Sequence, residues 1–450
     1  MSPRRALIIS PHFPPDTSAA THRMRLLAPH LGATGWHPTV LTLTTDSYDG
    51  RLEPALAETV PADVDVLRVR AWPRGLTRLV GIGDLGLRAL VALRRAATRE
   101  LASGRYQALV ITVYPTWPAV LGPALARSAG VPFVLDLQDP WVGAWGDTTG
   151  PGGLADLRSR LSRALSRPLE RRTALAADAL CAVSQGTLDA LAERVPAVRN
   201  VPWAAVPIGV APSDLAWALH APQALPWDAA DGKVHLVWVG TLLPLGARVV
   251  ESLMRALARA VGADRSLGDR LRLHFVGTSN QTLGARSTLT PTPALALAHA
   301  AGVEALVDER PLRVDYRDAL ALLARADGIL AAGSVEPHYT ASRLYPALLA
   351  GRPIIAAYHE RSQAHEVLAP FGGPPAVWRL SFGDRGPEDA FIEQAARAFT
   401  AIAARGAGAP APSRPAVDPL APYHADALAG RFSALLDAAV AHHARQPGAR

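Results

Sequence analysis

The amino-acid sequence predicts an α/β protein built from two doubly wound, Rossmann-like domains that face a cleft. Its 450 residues exceed what one hydrophobic core usually serves, which favours two domains. Short β-rich runs alternate with longer Ala-, Leu- and Arg-rich segments of helical period, and this alternation indicates parallel βαβ units. The predicted strands are almost wholly apolar, as in sheets covered by helices on both faces.

The first domain is predicted over residues 1–205. It opens with strand "ALIIS", the loop "PHFPPDTSAAT", helix "HRMRLLAPHLGATG" and strand "TVLTLT". Later strands are predicted at "VDVLRVR", "ALVITVY", "PFVLDL" and "ALCAVS", and helices at "LGLRALVALRRAATRELASG", "AVLGPALARSAG" and "TLDALAERV". Strands separated by helices of this length are typical of a parallel sheet with crossover helices.

The second domain is predicted over residues 206–407, after the proline-rich connection "VPWAAVPIGVAPSD". Its strands are "VHLVWVG", "LRLHFVG", "ALVDER", "ILAAG" and "PIIAAYH", with helices such as "RVVESLMRALARAVG" and "YRDALALLARADG" between them. Residues 408–450 are predicted to be a Pro/Ala-rich linker and a last amphipathic helix that packs back on the N-terminal domain. In doubly wound sheets, ligands bind outside the carboxyl ends of the strands, so we expect the site there.

Charge and cysteine content narrow the function classes. The net charge of +7 comes almost wholly from arginine and suits phosphorylated ligands, an anionic membrane surface or nucleic acid. No nucleic-acid-binding motif accompanies it, so nucleic acid is not an expected partner. Cys181 is the single cysteine and cannot form an internal disulfide, "MSPRRALIIS" lacks a secretory apolar segment, and no apolar run reaches 18 residues. These features predict a cytosolic protein.

The segment "EPHYTASRLYPALLAGRPIIA" predicts an anion site. A buried strand ends at Gly333, and the loop that follows leads into a helix whose first turn we expect to contain Thr340, Ser342 and Arg343. Free N–H groups at a helix start, hydroxyls and an arginine are all suited to phosphate. The alternative is an ordinary capped helix with a solvated arginine, because Ser and Thr are common caps.

Several motifs in order resemble family 4 glycosyltransferases of the GT-B fold, in a bacterial subgroup with "DxQDPW" and "EPHYTxSK" signatures. The segments that carry the resemblance are "SPHFPPDTSAATHRMRLLAPHLGATGWHPTVLT", "PFVLDLQDPW", "AVSQGTLDAL", "VPIGVAPSDL", "VWVGTLLP" and "PHYTASRLYPALLAGRPIIAAYHERS". They span roughly residues 5–370. The resemblance implies transfer of a sugar from a nucleotide diphosphate, bound by the second domain, to an acceptor held by the first.

The resemblance also implies which residues bind the donor. Ser342 and Arg343 match the "SK" pair of the subgroup and are assigned to the diphosphate. Arg248 takes the place of the basic residues that follow the family's glycine loop, and we assign it to the leaving phosphate as a catalytic residue. The full set predicted to bind the donor is Gly240, Thr241, Gly277, Glu336, His338, Tyr339, Thr340, Ser342 and Arg343.

The acceptor side is predicted from residues at strand ends of the first domain. "PFVLDLQDPWVGAWG" places Asp136 and Asp139 at a strand end, where a carboxylate can take an acceptor hydroxyl proton or orient the sugar. Asp136 could instead cap the loop, which makes Asp139 the better catalytic candidate. Aromatic, imidazole and guanidinium groups at the same edge suit sugar rings and hydroxyls, and the acceptor-binding candidates are His12, Arg23, Tyr114, Trp141 and Trp145.

Two positions depart from the wider family pattern. His338 and Pro346 stand where that pattern has glutamates, of which the later one normally contacts the nucleotide ribose. Proline is tolerated only in the first turn of a helix, so the regular helix is predicted to begin near Tyr345 and Pro346, with residues 340–345 as a loop around the ligand. The missing carboxylate leaves open an inactive pseudo-transferase, and a GT-B nucleotide-sugar epimerase is a further alternative.

Three further expectations concern cofactors, acceptors and membranes. The resemblance implies retention of configuration and no metal, and we expect no cofactor beyond the nucleotide-sugar substrate. The acceptor can be a glycan, a lipid-linked molecule or a small molecule. The helix "LADLRSRLSRALSRPLERRTALA" is amphipathic and rich in arginine, so peripheral contact with an anionic membrane stands as an alternative to a core-packed helix with a solvated arginine face.

Overall fold

A computed structural model describes residues 4–79, 83–142, 154–220, 224–242, 244–279, 292–336, 342–413 and 415–445. The chain divides into two compact units. Unit 1 comprises residues 1–209 and 425–450, and unit 2 comprises residues 210–424. No helix among the described residues is long and apolar enough to cross a membrane.

Unit 1 is a parallel sheet of seven strands in the order β3-β2-β1-β4-β5-β6-β7. The strands are β1 (Arg4–Ile9), β2 (Trp36–Leu43), β3 (Asp65–Val69), β4 (Ala108–Val113), β5 (Phe133–Leu137), β6 (Ala179–Ala182) and β7 (Trp203–Ala205). The helices of this unit are α1 (Thr21–Leu31), α2 (Arg74–Leu79), α3 (Leu85–Ala102), α4 (Gly122–Ala129), α5 (Leu154–Leu175), α6 (Gln185–Arg194) and α15 (Ala425–Ala444). Every residue of β4, β5 and β6 is buried, as expected for strands covered on both faces.

Unit 2 is a parallel sheet of six strands in the order β10-β9-β8-β11-β12-β13. The strands are β8 (Val234–Val239), β9 (Leu271–Val276), β10 (Val307–Arg310), β11 (Gly328–Ala332), β12 (Ile354–His359) and β13 (Val377–Phe382). The helices are α7 (Pro212–Leu219), α8 (Ala247–Ala263), α9 (Leu267–Arg270), α10 (Pro293–Ala300), α11 (Tyr316–Arg325), α12 (Leu344–Ala350), α13 (Ala364–Leu368) and α14 (Asp389–Ala403).

The structure adds elements that the sequence did not predict. β13 was missed because it is an edge strand with alternating burial, so its solvent-facing residues interrupt the apolar pattern of the other strands. β7 and α7 lie in the segment read as the domain connection. The division between units falls after Gly209, not residue 205, and residues 408–424 group with unit 2, where Leu420 is buried in the core.

The last helix, α15, completes the core of unit 1. Leu428, Phe432 and Leu436 are fully buried against residues of β1, β4 and β5. The indole nitrogen of Trp36 donates to Asp437 Oδ1 at 2.7 Å, which fixes the helix to β2. One face of the sheet is therefore covered by α1 together with a helix from the far end of the chain.

Candidate functional site

The strand order of unit 1 reverses between β1 and β4, and two predicted site residues lie there. In doubly wound sheets the crevice for ligands opens at this point, outside the carboxyl ends of the strands. His12 follows β1 and Tyr114 follows β4, and their rings stack with centroids 5.4 Å apart and planes at 13°. His12 is 8% exposed, whereas Tyr114 is 48% exposed. Tyr114 thus forms an open aromatic wall in front of a nearly buried imidazole.

The imidazole of His12 is fixed on three sides. Tyr48 also stacks with the ring, with centroids 6.1 Å apart, and its hydroxyl donates to the Pro11 carbonyl at 2.9 Å. The Nδ1 edge faces Asp16 Oδ2 at 2.7 Å. Two stacked tyrosines and one carboxylate therefore hold the ring in place.

Asp16 is a buried carboxylate whose Oδ2 accepts several hydrogen bonds. Besides His12, the hydroxyls of Ser18 and Thr21 donate to its Oδ2 at 2.7 and 2.9 Å. Burial by itself raises the pKa of this carboxyl, but the bonds from His12, Ser18 and Thr21 outweigh burial, and the net pKa is lowered. Asp16 is therefore ionised at neutral pH, and His12 Nδ1 carries the hydrogen that it donates.

Asp139 follows β5 at the same sheet edge, directly after Gln138. Its side chain is accessible, yet the protein surrounds it closely enough that burial raises the pKa of its carboxyl. Both properties together describe a carboxylate on a concave wall. Asp84, the N-cap of α3, also has a carboxyl pKa raised by burial. The charges of Asp84, Asp139 and Asp16, after burial, raise the pKa of Tyr114, so these groups share one electrostatic environment.

Trp141 and Trp145 do not form the predicted pair of sugar-stacking rings. Trp141 is only 9% exposed and packs in the hydrophobic core with Leu137 and Leu121, so the proposed stacking on an acceptor does not fit. Its face is used for packing because it follows the buried strand β5 and returns toward the same core. Trp145 lies outside the described residues.

Arg23 and Asp136 form a buried structural ion pair. Both side chains have 0% exposure, and the guanidinium donates from Nη2 to Asp136 Oδ1 at 2.7 Å and from Nε to Oδ2 at 3.0 Å. Arg23 also donates to the carbonyls of Val206 and Pro207. The predicted roles in acceptor binding and catalysis do not fit this burial, because neither side chain presents an atom to a ligand. Asp136 points inward from within β5, which a strand-end motif alone could not distinguish.

The donor-side candidates of unit 2 meet at its own strand-order reversal, between β8 and β11. Gly240 and Gly277 end the neighbouring strands β8 and β9, and they have positive φ angles of 121° and 75°. Gly240 N donates to Val276 O at 2.8 Å. A Cβ at Gly240 would lie 3.1 Å from Arg343 Nη1, so glycine here allows the arginine to approach the loop.

Arg343 joins the two strand ends at this reversal. Its Nη1 donates to the Thr241 carbonyl and its Nη2 to the Ala332 carbonyl, both at 3.0 Å. Its guanidinium carbon lies 4.2 Å from the ring centroid of Trp238, a cation–π contact. Two of five N–H donors are thus used, and the partly exposed cation remains at the carboxyl edge beside Gly240.

The helix after this loop begins at Leu344, one residue before the predicted start near Tyr345 and Pro346. α12 starts at Leu344 with Arg343 as N-cap residue, so Ser342 and Arg343 precede the helix instead of lying in its first turn. Pro346 is the third helical residue and therefore lies in the first turn, as predicted. Tyr345 is helical and buried and does not belong to the ligand loop. His338, Tyr339 and Thr340 lie outside the described residues.

Glu336 and Arg248 border the same edge of unit 2. The Ser334 hydroxyl donates to Glu336 Oε2 at 3.1 Å, which orients this carboxylate next to the strand end. Arg248 is exposed in the first turn of α8, and its Nη2 donates to the Arg385 carbonyl at 3.2 Å. A cation at a helix N-terminus is repelled by the positive end of the helix dipole, and a bound anionic ligand would offset this repulsion.

Sequence reasoning missed residues that support the site. Asp16 follows His12 by four positions within the first loop, and this spacing between a His and a carboxylate was a readable signal. Tyr48 and Asp84 gave no signal because they reach the site from other loops. Gln138 is buried, and neither Oε1 nor Nε2 has a hydrogen-bond partner among the described residues.

Solved structures that resemble this chain have the GT-B fold, in which two Rossmann-like domains are joined. They include Anabaena Alr3699/HepE in complex with UDP-glucose, with 14% identity, a TM-score of 0.53 and coverage of 97% of this chain and 98% of that chain. The α,α-trehalose 6-phosphate synthase from Burkholderia multivorans has 14% identity, a TM-score of 0.59 and 99% coverage of both chains. A UDP-forming α,α-trehalose-phosphate synthase from Burkholderia vietnamiensis has 13% identity, a TM-score of 0.57 and coverage of 98% and 100%. The predicted fold class is confirmed.

The family comparison concerns unit 1. Residues 18–209 match the family model described as a glycosyl transferase 4-like domain. This match covers the strand end with Asp139 and the tyrosine after β4, and it begins two residues after Asp16. No curated protein sequence gives a significant match.

Proposed function

We propose that this protein is a family 4-like glycosyltransferase that moves a sugar from a nucleotide-diphosphate donor to a hydroxyl of an acceptor. Unit 2 binds the donor and unit 1 binds the acceptor, which is a glycan, a lipid-linked molecule or a small molecule. The observation that carries the proposal is the arginine–glycine arrangement at the strand-order reversal of unit 2. Gly240 lacks a side chain, so Arg343 can approach the loop, and the arginine holds a fixed, partly exposed cation at the strand ends, where it can meet phosphate groups.

A uridine nucleotide is the first donor to test. Structures of similar fold contain UDP or UDP-glucose, and others are described as UDP-forming synthases. In transfer, the bond between sugar C1 and the phosphate oxygen breaks, and negative charge develops on the leaving diphosphate. Arg343 and Arg248 would stabilise that charge through charge-assisted hydrogen bonds.

The proposal includes transfer without a metal or other cofactor. Two arginines at one sheet edge can supply the positive charge that a divalent cation supplies in other phosphate sites. We also propose that the anomeric configuration is retained, as the family resemblance implies. Turnover that is unchanged by EDTA and an NMR spectrum of the product's anomeric proton would test these two points.

The test of the function is turnover of UDP-glucose in the presence of a panel of sugar and lipid-linked acceptors. We expect release of UDP together with a glycosylated product. An epimerase would convert the free donor without an acceptor, and an inactive protein would bind UDP without releasing product. Either result would contradict the proposal.

Asp139→Asn separates the acceptor side from the donor side. We expect the transfer rate to fall by about 10²–10⁴-fold, because the carboxylate no longer orients or polarises the acceptor hydroxyl. Affinity for UDP, measured by calorimetry, should stay within about twofold, since unit 2 is unchanged. Asp63→Asn, an exposed carboxylate before β3 at the opposite edge of the sheet, is the matched control and should behave as wild type. Loss of UDP affinity in a folded Asp139→Asn protein would refute this division.

A further inference from the structure

The turn that follows β13 holds the guanidinium of Arg248. Gly386 N donates to Gly383 O at 2.9 Å, which closes a four-residue turn, the 383–386 turn, at the carboxyl end of β13. The Arg385 carbonyl of this turn accepts from Arg248 Nη2 at 3.2 Å. Gly386 has a φ angle of 87°, and a Cβ there would lie 3.4 Å from the same Nη2. Glycine therefore suits both the left-handed backbone of the turn and the arginine that lies against it.

This contact leaves most of the guanidinium for a ligand. Arg248 is exposed in the first turn of α8, at the carboxyl edge where the diphosphate is proposed to bind. Among the described residues, its Nε and Nη1 groups have no protein partner. One bond to a carbonyl thus restricts the direction of a long side chain while its other N–H donors remain available.

Asp384 ties the 383–386 turn to β12. Its Oδ1 lies 3.1 Å from Nε2 of His359, the buried last residue of β12. Nδ1 of His359 accepts from the backbone N–H of Arg361 at 3.2 Å, so the ring hydrogen is on Nε2 and is donated to Asp384. The guanidinium of Arg361 donates to the same carboxylate oxygen. The bond from Arg361, followed by that from His359, lowers the pKa of Asp384, so this carboxylate is ionised at neutral pH.

Asp384 adds little to the pairing of the two strands themselves. His359 already pairs in register with Phe382, and Glu360 N donates to Phe382 O at 2.9 Å. The side chain of Asp384 is 74% exposed, and ion pairs as exposed as this contribute little to the free energy of unfolding. What Asp384 fixes is the conformation of the residues beyond the strand, which are those that hold Arg248.

We propose that Asp384 is a positioning residue for Arg248, which it orients toward the leaving phosphate by fixing the 383–386 turn. The inference rests on the proposed glycosyl transfer and on the assignment of Arg248 to the leaving phosphate. Negative charge on the diphosphate grows as the bond to the sugar breaks, so the orientation of Arg248 matters most in the transition state. Arg343, which is held by other carbonyls, still binds the donor when Asp384 is lost. Loss of Asp384 should therefore lower kcat far more than it raises KM.

The test measures UDP-glucose turnover by the full chain with the best acceptor of the panel. Asp384→Ala should lower kcat by about 10- to 100-fold, because a small displacement of a catalytic group has an effect of this size. The KM for UDP-glucose and the affinity for UDP should stay within about twofold. Asp384→Asn keeps an oxygen that accepts from His359 and should retain most of the wild-type kcat.

Asp264→Ala is the matched control. Asp264 is also an exposed carboxylate paired with an arginine, Arg270, but it follows the last residue of α8, at the opposite end of the helix from Arg248. Its loss should not change turnover.

A structural role for Asp384 is the competing explanation, and a double-mutant cycle separates the two. If Asp384 acts through Arg248, then Asp384→Ala should change kcat by less than about twofold in protein that already carries Arg248→Ala. Losses that multiply would overturn the inference. The melting temperature of Asp384→Ala should stay within about 4 °C of wild type, and a larger fall would assign Asp384 to stability and overturn the inference as well.

The failure of this inference differs from the failure of the proposed function. Wild-type kcat in folded Asp384→Ala, or in Arg248→Ala, would overturn the positioning role while the proposed function stands. A wild-type protein that turns over no nucleotide sugar would overturn both. The two results are distinguishable, because the first leaves the wild-type and Asp264→Ala proteins active.

Discussion

At the scale of single residues, Arg343 does two things at once. Its two Nη groups hold the carbonyls of Thr241 and Ala332, and its charge stays at the edge where a diphosphate is proposed to bind. The glycosyltransferase subgroup that the sequence resembles has lysine at this position. A lysine has one ammonium on a flexible stem, whereas the planar guanidinium can bond two carbonyls in fixed directions while it stacks on Trp238.

Replacement of Arg343 should therefore lower kcat/KM by an amount that depends on the new side chain. We expect Arg343→Ala to lower kcat/KM for UDP-glucose by about 10- to 1,000-fold, because one or two charge-assisted bonds of about 1.5–3 kcal/mol are lost. Arg343→Lys should fall between alanine and wild type, since it keeps the charge and can satisfy one carbonyl. Arg397→Ala, an exposed arginine of α14, serves as the control for a change of net charge. Unchanged kinetics in Arg343→Ala would exclude this residue from the donor site.

At the scale of elements, α12 shows what Pro346 does. The proline lies in the first turn, where its missing N–H has no helical partner to lose, and the helix ends at Gly351 in the left-handed conformation. The first helical bond is donated by Ala347 N to Arg343 O at 3.2 Å. The proline therefore determines where the helix begins and, with it, the position of Arg343 at the N-cap.

Pro346→Glu introduces the residue found in the family that the sequence resembles, but it should not improve donor binding. The added carboxylate would lie within a turn of Arg343 and near a dianionic ligand, and the repulsion should weaken UDP binding by about 1 kcal/mol or more. Pro346→Gln tests the same change without the charge and should bind UDP more tightly than Pro346→Glu. Calorimetric titration with UDP measures both. A tenfold or greater gain in affinity for the glutamate variant would support the view that this protein is a degenerate enzyme.

A second element-scale feature is the pair of histidines that joins β8 and β9. His235 Nδ1 and His274 Nε2 are 3.0 Å apart, and their outer nitrogens face Asp231 at 3.0 Å and Asp308 at 3.5 Å. If His235 Nε2 and His274 Nδ1 both donate to these aspartates, only one proton fits between the two nitrogens that face each other. A further proton would place two N–H groups face to face. Burial, followed by the charge of His235, lowers the pKa of His274 to about 4.

This pair predicts that unit 2 loses stability in weak acid. The folded-state pKa of His274 lies below its ordinary value near 6.5, so the unfolded chain binds more protons between pH 6.5 and pH 4. The contribution of unprotonated His274 to the free energy of unfolding is complete above pH 6.5. It is lost as the pH falls toward 4, by up to about 3 kcal/mol. Urea unfolding followed by tryptophan fluorescence would measure this loss, because Trp227 stacks on His235 and lies tilted against His274. His274→Gln should flatten the dependence over this pH range, and an equally steep curve in the variant would contradict the assignment.

The alternation of strands and helices and the apolar strands were sufficient to predict both sheets, because parallel βαβ units have a strong sequence signal. The edge strand β13 has no such signal. At the site, motif position correctly brought His12 and Tyr114 together, since the carboxyl ends of parallel strands share an edge. Motif position could not show that Asp136 is paired with Arg23. Successive side chains of a strand point in opposite directions, and the motif does not say which carboxylate points inward and which is accessible. The partnership of His12 with Tyr48 depends on tertiary contacts.

At the scale of the whole molecule, α15 ties the last part of the chain to unit 1. Phe432 is fully buried, and the guanidinium carbon of Arg23 lies 5.9 Å from its ring centroid. The helix therefore covers the buried ion pair that also bonds the carbonyls of Val206 and Pro207. The stability of unit 1 depends on residues that follow unit 2 in sequence.

Phe432→Ala should destabilise unit 1 selectively. Truncation of a fully buried phenylalanine costs about 3–5 kcal/mol in the free energy of unfolding. Hydrogen exchange followed by mass spectrometry resolves the units, and we expect lost protection in peptides of β1, β4 and β5 with little change in β8 and β11. Arg431→Ala, the exposed neighbour, is the control. Equal loss of protection in both units would contradict the prediction.

In the sequence, unit 2 comes between the two parts of unit 1, and this order affects how unit 1 folds during synthesis on the ribosome. The ends of unit 2 are joined to each other, as Val210 N donates to Tyr423 O at 3.1 Å, so this unit is complete before α15 has been made. Domains fold as units during translation, usually from the N-terminus onward. Here the nascent N-terminal sheet has only α1 on one apolar face until α15 emerges, so this is the stage of synthesis at which we expect a chaperone to be needed most.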